Sequence, residues 1–119
     1  MIRSTMALFC LFAAATAQAA CIYPRAPLRV PDGSTATRDE MVAAQQEVQQ
    51  FNDDIAAYNS CLDLEMATLE KSGQFNGDRV NELRAMQAKK NNAAVDEAQS
   101  IADRFNEQLR IFLARDKKD

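Results

Sequence analysis

Residues 41–70 read MVAAQQEVQQFNDDIAAYNSCLDLEMATLE, and the spacing within this stretch decides the fold. Met41, Val48, Ile55, Leu62 and Leu69 recur at every seventh position. Ala44, Phe51 and Tyr58 fall three places after the first three, and Glu65 breaks that second series. Alternating steps of three and four sustained over four heptads describe a left-handed coiled-coil seam on an α-helix.

The flanks bound this helix. Thr37-Arg38-Asp39-Glu40 is a capping-box pattern, in which the threonine hydroxyl and the glutamate carboxylate satisfy each other's backbone N–H. Asp39 and Glu40 also suit the positive end of the helix dipole. No Pro or Gly interrupts the chain before Gly73, which follows Lys71-Ser72 as a C-terminal glycine should. The pattern predicts a helix over 37–72.

Beyond it, Asn76-Gly77 marks a turn and Asp78 reads as the next N-cap. A second Pro- and Gly-free run predicts a helix over 78–115, ending in the basic group Arg115 to Lys118. Its seam is clear only late: Val95, Ala98, Ala102, Phe105, Leu109, Phe112. Earlier, Val80, Leu83 and Met86 are apolar, and Lys89 to Asn92 then interrupt. A short loop between helices of similar length makes an antiparallel hairpin. The expected fold is therefore all-α, with a coiled-coil-like helical hairpin over residues 37–119. That pairing sets Phe105 and Phe112 beside Met41 to Val48, and Val80 and Leu83 opposite Leu69 and Leu62.

Before the hairpin, residues 20–36 hold all three prolines, Pro24, Pro27 and Pro31, and predict an extended arm ending in a Pro31-Asp32-Gly33 turn. Residues 1–19 carry Arg3, an uncharged apolar run ALFCLFAAA over 7–15, and Ala17-Gln18-Ala19. This is the layout of a cleavable signal peptide, cut after Ala19, and implies a secreted or periplasmic protein. The apolar run is shorter than the roughly 20 residues a bilayer crossing needs, so no transmembrane segment is expected. The alternative is an outer-membrane lipoprotein anchored through Cys21. Gln18 stands where lipid attachment calls for a Leu-like residue, and weighs against it.

Removing residues 1–19 takes away Arg3 and Cys10. The 14 basic residues become 13 against 17 acidic ones, a net charge of −4. An acidic chain disfavours nucleic acid as a partner. Cys21 and Cys61 remain, an even count that predicts a disulfide bond in an oxidising compartment. Cys61 lies about 36 Å along the first helix. The arm, at about 50 Å extended, is long enough to run back to it. The tether would let Ile22, Tyr23, Leu28 and Val30 cover the groove beside the seam. A bridge between two chains is the other pairing. A lone hairpin buries little surface, so a homodimer is a second route to stability.

Function is where the residues say least. The chain has no His, which removes the commonest general base and transition-metal ligand. Asp53-Asp54 and Asp63 with Glu65 lack cation-loop spacing. Asp32-Gly33-Ser34-Thr35 lacks the Gly-Lys-Ser/Thr element of a phosphate loop, and Ser60 has no base beside it. No enzyme, no cofactor and no metal site are expected. Phe75 falls in the predicted tip loop, with Met66 and Leu69 nearby.

The elements Pro31-Asp32-Gly33, Ala36, Glu40-Met41 and Tyr58-x-x-Cys61-Leu62 resemble a group of small helical proteins secreted by Gram-negative bacteria. The resemblance covers about residues 21–65. It implies a periplasmic helical protein and carries no activity. Two expectations follow: a non-catalytic structural or protein-interaction module of the envelope, or a periplasmic holdase-like chaperone or carrier of small apolar ligands.

Overall fold

A computed structural model describes residues 20–27 and 29–117. The signal read over residues 1–19 lies outside the described residues, as do Leu28 and the last two positions. Two helices make up the body, α1 over Arg38–Ser72 and α2 over Gly77–Asp116. They pack against each other as the expected all-α hairpin. No helix among the described residues is long and apolar enough to cross a membrane.

α1 starts where its cap chemistry says it should. The Glu40 N–H donates to the Thr37 hydroxyl at 3.2 Å, and the Thr37 N–H donates to the Glu40 carboxylate at 2.7 Å. That second bond holds the Glu40 carboxyl below its ordinary pKa. The helix ends at Gly73, whose φ of 65° is the left-handed conformation that glycine adopts without strain. α2 starts earlier than expected. Asn76, not Asp78, is its N-cap, accepting from the Arg79 N–H at 2.9 Å, so Gly77 is already helical. Asn and Asp are near-equal caps, and the one nearer the α1 terminus closes the tighter turn.

The buried residues of α1 follow the heptad closely: Met41, Ala44, Val48, Phe51, Ile55 and Leu62. After Leu62 the seam shifts to Met66, one place past the Glu65 that broke the series, while Leu69 is half-buried. In α2 the buried set is Ala94, Ala98, Ile101, Phe105 and Phe112. Val95, the expected start of that seam, is 52 % exposed, and Ala94 takes its place at 0 %. Alanine lets the backbones come close there, where a β-branched side chain would hold them apart.

One core cluster joins Met41, Val48 and Phe51 to Ile101, Phe105 and Phe112, as antiparallel pairing requires. Toward the loop the register differs from expectation. Arg84 pairs with Glu70 at 2.6 Å, and Asn91 reaches Asp63 at 3.4 Å. Leu83 is therefore level with Leu69 rather than Leu62, about two helical turns nearer the loop. Leu62 and Met66 are buried outside the main cluster, and no residue of α2 before Ala94 is buried. The hairpin thus has a packed base and a lightly packed tip.

Candidate functional site

The most constructed part of the molecule is the groove that the arm occupies. The arm runs back along α1, and Cys21 is disulfide-bonded to Cys61, with Cα atoms 5.8 Å apart. The bridge lies within one chain. Next to it the Cys21 N–H donates to Glu65 at 3.3 Å. Tyr23 stacks edge-to-face on Tyr58, ring centres 5.1 Å apart, and its hydroxyl donates to the Glu97 carboxylate of α2. Ala26 and Val30 pack on the main core. The expectation that Ile22 covers the groove is not met. Its side chain is 83 % exposed, because Cys21 and Tyr23 both face the helices, Tyr23 with 42 % of its surface still exposed, and alternate extended residues point oppositely.

The base of the arm is fixed by backbone. Asp32 organises the turn: its side chain accepts from the Ser34 N–H at 2.9 Å, and its carbonyl from the Ala36 N–H at 2.8 Å. The sequence 32–35 is therefore a turn leading into the α1 cap. The Gly33 N–H donates to Gln108 at 2.9 Å. A methyl group on Gly33 would meet the Gln108 backbone, with its carbonyl carbon at 2.9 Å, and the Phe112 nitrogen at 3.0 Å. This glycine is required by close approach, not by an unusual φ. Gly33→Ala is expected to cost about 1–3 kcal/mol, the range for overpacking. Urea unfolding measures it, and an unchanged midpoint would contradict the packing described. Finally, Arg115 donates to the Ala36 carbonyl at 2.7 Å while lying over the Phe112 ring at 4.9 Å.

Partial burial and the bond to Glu97 push the Tyr23 hydroxyl up to about 12. A raised pKa means that its contribution is intact below the ordinary value near 10. It is lost as pH climbs from there toward 12. A tyrosinate titration by ultraviolet absorbance should show a late step from Tyr23. In Tyr23→Phe that late step should vanish. If it persists, the Tyr23–Glu97 bond is wrong.

The sulfurs of Cys21 and Cys61 and a Glu65 oxygen lie within 4.8 Å of one another. With the sulfurs bonded to each other they are not thiolates, and one carboxylate remains, too few donors for a tetrahedral metal site. The other candidate groups are used locally. Ser60 donates to the Ala56 carbonyl at 3.0 Å, and Asp54 accepts from Gln50 at 2.8 Å. Asp63 accepts from Gln87 across the hairpin. Asp53 is exposed on α1. Sequence reasoning missed Glu97, Gln108 and Arg115 as arm anchors. They are ordinary polar residues of an exposed-looking helix, and only the register of α2 brings them to the arm.

No protein-family model, curated protein or solved structure matches the chain.

Proposed function

We propose that this chain is an exported, non-catalytic structural or protein-interaction module of the bacterial envelope. The observation that carries this reading is the tethered arm. A disulfide, an aromatic pair and a close glycine contact hold the arm and the turn that follows it against both helices, so the molecule presents fixed helix faces. Disulfides persist in the oxidising compartment that the N-terminal signal pattern implies. Intact mass of the cell-expressed protein, with and without reductant, tests compartment and bridge together. The expected product starts at Ala20, carries no lipid, and gains two hydrogens on reduction. Retention of residues 1–19 would defeat the export reading, and a lipid adduct on Cys21 would convert it to a lipoprotein.

A second reading is favoured by the tip. Leu64, Phe75 and Met86 are 70 %, 40 % and 48 % exposed in the thinly packed half. A holdase or carrier of small apolar ligands would use such residues to hold apolar clients or ligands. It requires that the protein suppress aggregation of an unfolded client or carry a bound apolar ligand, and that Phe75→Ser together with Leu64→Ser abolish the effect. A protein that does neither is not a holdase or carrier.

A further inference from the structure

A two-helix hairpin has two long grooves, and the arm fills one. The other is open, lined at mid-length by Asn52, Ala56 and Asn59 of α1 and by Val95, Gln99 and Ala102 of α2. These residues belong to longer stripes. On α1 the steps of three and four run Val42, Gln45, Gln49, Asn52, Ala56, Asn59. On α2 they run Val95, Gln99, Ala102, Asn106, Leu109, Leu113. Each is a second heptad track beside the core seam, and neither contains a charge. Nine of these twelve positions are exposed, while Asn59, Ala102 and Leu109 are half-buried. A quarter of the chain is charged, so about two of the nine would carry charge on an ordinary solvated face. Val42, Val95 and Leu113 are about half exposed on it, at 45 %, 52 % and 50 %.

We propose that this face receives a second copy of the chain, docked antiparallel about a two-fold axis between Gln49 and Asn52 of α1, to close a four-helix bundle. Three features select that occupant. First, the stripe is rich in carboxamides, which donate and accept alike. A two-fold interface must complement itself, which amides do and single-sign charges do not. Second, the charges bracket the stripe with opposite sign. Arg38 and Lys117 stand at the base, and Asp63 stands one heptad step past Asn59. Antiparallel docking brings Arg38 to Asp63 of the other copy, whereas parallel docking stacks like charges. Third, from Arg38 to Asp63 the face is about 38 Å long and two helices wide, a footprint of about 750 Å² per copy. A standard interface buries about 800 Å² per partner.

The pairing deepens the interaction-module reading by naming its partner, and it is read by mass rather than by capture of other proteins. Sedimentation equilibrium on the oxidised protein, from micromolar to millimolar, should give the mass of two chains. Ala56→Glu with Val95→Glu should reduce it to one chain with unchanged helical circular dichroism. Leu64→Glu, off the stripe, should leave the dimer intact. Arg38→Glu should weaken association at least tenfold, and adding Asp63→Arg should restore it. A single-chain mass at every concentration overturns the pairing and leaves the module reading standing. A dimer indifferent to the stripe charges also overturns it, and failure of the Arg38/Asp63 exchange to restore association overturns the antiparallel order.

Discussion

Cutting the Cys21–Cys61 bridge, by reductant or by Cys61→Ser, is expected to destabilise the protein by about 4 kcal/mol in the chain-entropy model. The bridge closes a loop across a sequence separation of 40. Without it the unfolded chain regains that freedom, while the folded state keeps both helices. A domain of this size has a net stability of only about 5–15 kcal/mol, so the loss is a large fraction of the whole. The change should also be uneven along the arm. The Cys21 end loses its covalent hold, whereas the base keeps the Gly33–Gln108 and Arg115–Ala36 bonds. Arg25 and Arg29, both exposed, should become faster trypsin sites while cleavage within α2 stays slow. Urea unfolding followed at 222 nm with and without reductant checks the first part, and timed proteolysis with mass readout the second. Coincident unfolding curves would show that the arm contributes nothing through its tether.

Phe51→Ala is expected to cost about 3–5 kcal/mol, the range for removing a buried phenylalanine ring. At 2 % exposure it is the largest fully buried side chain among the described residues. It lies where three elements meet, inside the hairpin cluster against which Ala26 of the arm packs. A hairpin and a single strand of arm have little material with which to collapse into the space left. Phe75→Ala, at 40 % exposure in the loop, should change stability by less than about 0.5 kcal/mol. Chemical denaturation of the two variants side by side gives the comparison. Similar losses would mean that the core is not where the structure puts it. Because the arm packs on the cluster that contains Phe51, its effect and that of the disulfide should not add.

Much of the fold is written locally. The α1 boundaries follow from a capping box and a glycine, which act within four residues of the helix end. The α1 seam is readable because a heptad repeat is a local property of one helix. The pairing of Cys21 with Cys61 is also legible, by elimination and reach. α2 is less legible. Its apolar residues are sparse and its alanines many, so Val95 and Ala94 are equally good seam positions by periodicity. The way the two helices face each other buries Ala94 and leaves Val95 exposed.

By itself, then, the sequence determined the two helices, their antiparallel return, and an arm long enough to be bridged to mid-helix. Those features rest on interactions between near neighbours or on simple chain length. The tertiary structure alone decided the cross-helix register, which sets Leu83 beside Leu69. It alone set Tyr23 against Tyr58 and Ile22 outward, and brought Glu97, Gln108 and Arg115 to the arm. Such contacts join residues more than seventy positions apart, and an error of one turn in register moves a partner by about 5 Å. Only once that register is set does it become visible that the arm fills one groove and a charge-free face lines the other.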